Sequence, residues 1–160
     1  MADMKKLAII ATKGTLDWAY PPFILASTAA ALGYEVQIFF TFYGLQLLRK
    51  NLALEVSPLG NPGMPMPYGM DKWFPTFLLA APGMQSIMTS MMKQKMKSKG
   101  VASLEELRNL CQEADVKFIA CQMTVDLFDM DRNDFMDGIE YAGAAAFFEF
   151  AGDSDICLYV

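Results

Sequence analysis

One cysteine stands where a short apolar run ends and a helical segment begins. In "VKFIACQMTVDLF", residues 116–128, Cys121 closes the apolar run. Amide groups at the start of a helix favour a thiolate and can lower the pKa of a cysteine well below its free value of about 8.5. Position alone leaves two interpretations open: a reactive thiol at the exit of a strand, or a small side chain packed in the core.

The other two cysteines carry a weaker signal. Cys111 falls beside the apolar stripe of a predicted helix and Cys157 lies within the last apolar run, so both are interpreted as packing residues. No CxxC pair occurs, so neither a disulfide framework nor a metal site is predicted, and no cofactor is expected. Free cysteines of this kind favour a reducing cytoplasm.

Composition excludes several classes of protein. The chain contains no histidine, which rules out Cys-His and Ser-His-Asp catalysis, so any reactive cysteine must rely on backbone dipoles or a lysine. A net charge of −5 argues against a general nucleic-acid binder, which needs a basic face. Lys13 and Gly14 resemble part of a phosphate-binding turn, but GxGxxG and the full P-loop pattern are absent, so a nucleotide site is not predicted.

Apolar runs alternate with helical patterns along the chain, which predicts an α/β fold. About five mostly parallel strands with helices on both faces are expected, and Ser103 with Glu106 forms a capping box before one of the helices. The predicted strands are 7–11, 34–40, 116–121, 139–142 and 155–160. The predicted helices are 22–32, 44–52, 104–114 and 143–152.

Ligands of parallel sheets bind beyond the carboxyl ends of the strands. Three turns meet at that edge here: residues 12–15, 41–44 and 121–124. Lys13, Gly14, Tyr43 and Gln122, which lie in these turns, are therefore candidate substrate-binding residues beside Cys121. Asp17, Trp18 and Tyr20 either line the mouth of a pocket or only cap and cover the first helix.

A Pro-, Gly- and Met-rich segment at about 57–100 interrupts a chain otherwise predicted to be a single domain over residues 1–160. Residues 73–92 carry no charge, so by length they could span a bilayer, although Pro75 and the Pro82-Gly83 pair oppose this. Four lysines at 93–99 either complement the helix dipole or face a membrane or an acidic partner. The preferred interpretation is an interface with another subunit or a partner.

The opening "ATKGTLDWAYPPFILASTAAALGYEVQIFFTFYGLQLL", with "FIACQMTVDLF" and "DFMDGIEYAGAAAFFEFA", resembles the DsrE/DsrF-like family of sulfur-relay proteins. The resemblance implies a three-layer Rossmann-like fold, a homo-oligomer, and sulfur held on a cysteine as a persulfide or thiosulfonate. The acceptor cysteine of the family lies after the third main strand, where Cys121 stands. Some relatives carry a second cysteine ten residues earlier, which makes Cys111 a candidate assistant.

The sequence and the resemblance together predict a cytoplasmic sulfur carrier or sulfurtransferase that passes sulfur from Cys121 to a TusA-like sulfur-carrier protein. Lys13 or nearby amides would hold the added negative charge, and no nucleic-acid partner is expected. Whether the protein catalyses transfer or only carries sulfur stays open. The alternative is a non-catalytic interaction protein that docks to a membrane complex or partner through residues 73–99.

Overall fold

The computed structural model describes residues 4–58, 73 and 76–160. They fall into two compact units. Of the described residues, the first comprises 4–14, 18–53 and 103–160, and the second comprises 15–17, 54–58, 73 and 76–102. That the chain forms one domain with an insertion stays a prediction, because residues 59–72 and 74–75 of the Pro/Met-rich segment lie outside the described residues.

The first unit is built on a parallel sheet of five strands in the order β4-β3-β2-β1-β5. All four strand pairings are parallel, so the carboxyl ends of the strands meet at one edge. The predicted α/β fold is thereby confirmed. The strands are β1 Lys6–Ala11, β2 Glu35–Phe40, β3 Lys117–Cys121, β4 Ile139–Ala142 and β5 Ile156–Tyr159.

In the part of the chain that the structure describes, five α-helices and three short 3₁₀ helices join these strands. The α-helices are α1 Leu16–Ala31, α2 Met84–Ser98, α3 Leu104–Glu113, α4 Gln122–Leu127 and α5 Ala144–Ala151. The 3₁₀ helices are Phe42–Leu48, Thr76–Ala80 and Arg132–Asp134. The helix predicted over 44–52 is therefore a 3₁₀ helix that starts and ends earlier.

Helix α1 begins six residues before the start predicted from its prolines. Pro21 and Pro22 lie inside the helix, where each removes a hydrogen bond to the preceding turn. The turn before them is held by groups outside the helix instead. The amide of Leu16 donates to the carbonyl of Glu55 at 2.8 Å, and the Asp17 carboxylate accepts from the amide of Ser57 at 3.0 Å. Asp17 therefore anchors the start of the helix.

Helices cover both faces of the sheet. Phe23 of α1 packs against Phe40 and Phe118, with ring centroids 6.0 and 5.8 Å apart. Phe147 of α5 packs against Phe39, with centroids 5.3 Å apart. Because side chains alternate along a strand, Phe39 and Phe40 point to opposite faces. Helix α1 therefore covers one face of the sheet and α5 covers the other.

Helix α3 fixes the 3₁₀ segment that follows β2. Ser103 and Glu106 form the predicted capping box at the start of the helix. From this helix the buried Arg108 guanidinium donates to the carbonyl of Leu47 at 3.1 Å and to that of Arg49 at 2.7 Å. Burial lowers the pKa of Arg108. Both carbonyls at the end of the 3₁₀ segment thus find a donor, which holds the segment against the sheet.

Two glycines allow the loops at the carboxyl edge to touch backbone to backbone. A Cβ atom added to Gly44 would lie 2.1 Å from the Ala11 carbonyl oxygen, and one added to Gly14 would lie 2.3 Å from that of Tyr43. Real side chains do not approach backbone so closely. The loop after β1 and the 3₁₀ segment after β2 therefore pack as one layer.

We expect Gly44→Ala to lower the free energy of unfolding by about 2 kcal/mol or more, because the added methyl overlaps the backbone of β1. Urea unfolding monitored by circular dichroism measures the effect. Gly143→Ala is the matched control, since a Cβ atom there meets nothing within 4 Å and the backbone φ is −92°. Equal midpoints for the two variants would contradict the close contact.

The second unit is organised around α2. The buried Thr89 hydroxyl accepts from the amide of Val56 at 3.0 Å, and the Gln85 side chain donates to the Val56 carbonyl at 2.9 Å. Thr89 and Gln85, two polar residues among the methionines of this helix, thus hold the chain around Val56 against the helix. Among the residues described, no helix has the length and apolar character needed to cross a membrane.

Candidate functional site

Cys121 is the last residue of β3 and immediately precedes α4. Two hydroxyl groups from neighbouring elements lie beside it. Thr124 is in the first turn of α4, and Thr41 follows the adjacent strand β2; their hydroxyl oxygens are 3.2 Å apart. The amide of Phe42 donates to the Thr124 hydroxyl oxygen at 3.3 Å. The parallel pairing of β2 with β3 brings these groups together.

Burial and hydrogen bonding act on the Cys121 thiol in opposite directions. Burial alone raises the pKa of Cys121, because a thiolate loses its hydration there. The hydroxyl and amide of Thr124, the hydroxyl of Thr41 and the amide of Met123 lower the pKa by hydrogen bonding to the sulfur. The hydrogen bonds outweigh burial, and the pKa of Cys121 lies below that of a free thiol. This side chain can therefore act as a nucleophile.

The Cys121 side chain is only 4% exposed, so the thiol at the exit of the strand is not open to solvent. Its apolar neighbours are Ala8, Phe39, Ile119 and Phe147. Ile119 and Cys121 are two residues apart in the strand and share the face that α5 covers. The sulfur thus has hydrocarbon on one side and polar donors on the other.

Cys111 lies on the opposite face of the sheet. It is wholly buried in α3, and its thiol donates to the carbonyl of Phe23, on the face covered by α1. Burial raises the pKa of Cys111 to about 12. The sheet therefore separates this neutral thiol from Cys121, and the structure does not bring the two sulfurs together.

Cys157, interpreted from the sequence as a packing residue, is exposed. The physical reason is its position in β5, which is an edge strand paired only with β1. An apolar run at the edge of a sheet need not be covered on both sides. Cys157 is thus a thiol that small reagents can reach.

The four predicted substrate-binding residues have other contacts. The Lys13 ammonium lies 3.0 Å from the centre of the Trp18 ring, and Gly14 is packed against the backbone of Tyr43. The Tyr43 ring is exposed and stacks on Phe128. Lys13 is not among the groups that shift the pKa of Cys121. Gly14 and Tyr43 therefore shape the edge of the sheet through their backbone contact.

Gln122 belongs to a surface network that points away from the sulfur. Its side-chain amide donates to Asp126 at 2.6 Å, and its carbonyl oxygen accepts from Arg132. The Arg132 guanidinium also lies 4.2 Å from the centre of the Tyr141 ring. Tyr141 is paired with Ala120 in the sheet, one residue before Cys121. Because alternate residues face opposite sides, this network lies on the other side from the Cys121 sulfur.

The sequence-based search missed Thr41 and Thr124 as individual donors. Both lie within turns that were identified at the carboxyl edge, residues 41–44 and 121–124. Each threonine lies within three residues of the end of a strand, and the two strands are neighbours in the sheet. This pattern can be recognised only when the order of the strands is known. In the part of the chain that the structure describes, no cluster of three cysteine or acidic side chains could hold a metal ion.

The fold and the site define an α/β protein with a parallel five-stranded sheet and a buried, low-pKa cysteine at the carboxyl end of β3. The chain belongs to the DsrE/DsrF/DrsH-like family, whose model matches residues 3–159. It is 82% identical over 158 residues to the sulfur carrier protein DsrE2 of Allochromatium vinosum, covering 99% of both chains. It is 34% identical to the uncharacterized protein YrkE of Bacillus subtilis, covering 98% of this chain and 97% of that one.

A solved structure supports the fold independently. The crystal structure of the ychN protein from E. coli superposes with a TM-score of 0.55 at 12% identity, and the match covers 98% of this chain and 100% of that one. At this level of identity the likeness concerns the fold alone. The Rossmann-like architecture expected from the sequence is therefore shared with a known structure.

We expect Thr124→Val to raise the pKa of Cys121 and to slow its alkylation at neutral pH roughly tenfold, because a hydrogen bond to a charged group contributes about 1.5 kcal/mol. Since the wild-type pKa is lowered, reactivity should persist below the ordinary thiol range and fall as pH drops through the lowered pKa. The measurement is the iodoacetamide rate at Cys121 against pH, read by peptide mass spectrometry.

Thr28→Val is the matched control, because the Thr28 hydroxyl bonds only within its own helix, to the Ile24 carbonyl at 2.7 Å. That variant should leave the profile unchanged. If both variants react as the wild type does, the Thr124 hydroxyl does not stabilise the thiolate.

Proposed function

We propose that the protein carries sulfane sulfur on Cys121, as a persulfide or a bound thiosulfonate, and passes it to a partner protein. The observation that carries the proposal is the set of hydroxyl and amide donors around a thiol whose pKa lies below the free value. The name of the 82% identical relative, a sulfur carrier protein, supports the same function. Family membership supports it as well.

Loading is a displacement at sulfur. The Cys121 thiolate attacks a sulfane sulfur of tetrathionate, a sulfur–sulfur bond of the donor breaks, and thiosulfate leaves with the electron pair of that bond. The product is a thiosulfonate on Cys121. With an inorganic polysulfide the same attack gives a persulfide and a polysulfide shorter by one sulfur. Neither step needs a metal, a cofactor or a proton from the protein.

Unloading is the same reaction with the roles exchanged. A thiolate of the partner attacks the outer sulfur of the persulfide, the sulfur–sulfur bond breaks, and the Cys121 thiolate leaves. A thiolate of low pKa leaves faster, so the donors around Cys121 favour release as well as loading. Thr124 and the Met123 amide thus assist both directions of transfer.

The buried position of Cys121 has a role in this proposal. A persulfide anion in free solution reacts with any accessible electrophile or thiol, and a site that is 4% exposed restricts those encounters. Loading requires the residues around the sulfur to move apart locally. Phe42, which bonds to Thr124 and has a positive φ of 48°, belongs to the segment beside the sulfur. A left-handed conformation is unfavourable for phenylalanine, so this segment holds local strain.

The assistant role of Cys111 is not part of this mechanism. Its thiol is neutral, wholly buried and on the other face of the sheet, so a disulfide with Cys121 would require the sheet to open. In this proposal Cys111 packs α3 against α1. Lys13 is likewise assigned to the Trp18 contact, and the backbone amides take the charge-stabilising part.

The same proposal includes a homo-oligomer in the cytoplasm with a TusA-like sulfur-carrier protein as partner. An apolar groove of about 250 Å³ beside the edge strand β5 supports self-association. Leu25, Leu32 and Ile156 line this groove and are exposed. Three free cysteines support a reducing compartment.

We expect Cys121 to be the site of sulfur loading. In a Cys157→Ser background, which removes the exposed competing thiol, incubation with tetrathionate or polysulfide should add sulfur to the protein. Cys121→Ser should abolish the adduct, and Cys111→Ser should keep it, because serine retains the hydrogen bond to Phe23. Intact-protein and peptide mass spectrometry measure the products.

Cyanide, which removes sulfane sulfur, should return the loaded protein to its original mass. An adduct of equal yield in the Cys121→Ser protein would contradict the proposed function of Cys121. Loss of the adduct in both serine variants would instead restore a role for Cys111.

A second candidate function is the non-catalytic docking of the second unit to a membrane surface or acidic partner. Ile87 and Met91 lie one turn apart on α2 and are both exposed. The lysines at 93, 95, 97 and 99 that follow them are exposed too. An apolar face next to a basic run suits an anionic interface.

This second function predicts that the protein floats with vesicles containing phosphatidylglycerol and that Ile87→Gln/Met91→Gln abolishes flotation. Leu110→Gln/Phe148→Gln, two exposed apolar positions in the first unit, is the matched control. Flotation that is absent in the wild type, or equal in both variants, contradicts the membrane role.

A further inference from the structure

Exposed apolar side chains adjoin the polar side of the Cys121 site. The centroid of the Phe128 ring lies 6.2 Å from that of Phe42 and 6.1 Å from that of Tyr43. Met123 and Leu127 are one turn apart on α4, beside Phe128. These five side chains are between 42% and 65% exposed. They form the rim surface: Phe42, Tyr43, Met123, Leu127 and Phe128.

The rim surface is joined to the thiol through the backbone. Hydrogen bonding from the Met123 amide and the Thr124 hydroxyl lowers the pKa of Cys121, and the Phe42 amide donates to the Thr124 hydroxyl oxygen at 3.3 Å. A molecule that packs on the side chains of Phe42 and Met123 therefore contacts the residues whose amides act on this site. Aromatic side chains and methionine are enriched at protein interfaces, and exposed apolar patches of this kind mark them.

Negative charge is concentrated in the segment that carries part of the rim surface. Residues 122–134 contain four aspartates, at 126, 129, 131 and 134, and one basic residue, Arg132, for a net charge of −3. The whole chain has a net charge of −5, so the remaining residues together carry −2. All four aspartates are exposed. The field of this segment thus favours cations.

We propose that the rim surface is the docking site for a protein that presents its sulfur-exchanging cysteine in an apolar patch flanked by lysine or arginine. This inference rests on the proposed function and names the surface and the chemistry of the partner. A second copy of this chain does not fit, because a two-fold contact through the same surface would place −3 against −3. Since the sulfur is nearly inaccessible, the partner thiolate must dock before it can reach the outer sulfur.

The probes are two synthetic peptides, one with a single cysteine among leucines and lysines and its twin with every lysine replaced by glutamate. The protein is loaded with sulfur on Cys121 in the Cys157→Ser background, and transfer to each peptide thiol is followed by mass spectrometry. We expect the lysine peptide to react at least roughly tenfold faster at low salt. The difference should shrink at high salt, because exposed charges are screened.

Matched variants separate this surface from general attraction. Met123→Gln/Leu127→Gln should slow transfer to the lysine peptide roughly tenfold, since both side chains lose burial against the peptide. Leu110→Gln/Phe148→Gln, which are exposed elsewhere on the first unit, should not. Asp129→Asn/Asp134→Asn should weaken the salt dependence more than the equally charged change Glu113→Gln/Glu149→Gln.

The outcomes distinguish failure of the proposed docking surface from failure of the proposed sulfur-carrier function. Equal rates for both peptides, or equal effects of both double glutamine variants, would overturn the surface while leaving sulfur carriage intact. If Cys121 never loads, the function fails by itself. Binding of a serine form of the lysine peptide to the Cys121→Ser protein, measured by fluorescence anisotropy, then decides the surface alone. Binding lost in Met123→Gln/Leu127→Gln but kept in the control supports it, and any other result overturns it.

Discussion

The competition between burial and hydrogen bonding at one sulfur atom governs the chemistry of this molecule. Hydrocarbon from Phe39, Ile119 and Phe147 would hold Cys121 as a neutral thiol, as burial holds Cys111. Hydroxyl and amide groups from Thr41, Met123 and Thr124 reverse that outcome. The same residue type therefore has two states within one fold: burial dominates at Cys111, and hydrogen bonds from several donors dominate at Cys121.

The scaffold supplies those donors through strand pairing. Residues that follow adjacent parallel strands meet at one edge, so Thr41 and Thr124 come together although 83 residues separate them. Gly44 lets the segment after β2 lie directly on β1, and Arg108 secures the end of that segment. The position of the Thr41 hydroxyl thus depends on packing contacts well removed from the sulfur.

Much of the fold could be predicted from the sequence, because alternating apolar and amphipathic runs determine element type locally. The β-α alternation, the Ser103 capping box and the edge at which Cys121 lies are all of this kind. The start of α1 could not be predicted, since its first turn is held by Glu55 and Ser57, which are distant in sequence. The burial of Cys121 and the exposure of Cys157 follow from strand order and helix placement, which periodicity does not encode.

The charge of the site stays constant through the proposed cycle. A thiolate, a persulfide and a bound thiosulfonate each carry one negative charge at Cys121, and they differ in how far that charge lies from Cβ. The donors nearest the sulfur therefore match the empty state best, because the charge of a loaded state lies farther from them. Unloading returns the charge to those donors, so in the proposed cycle they favour transfer over storage.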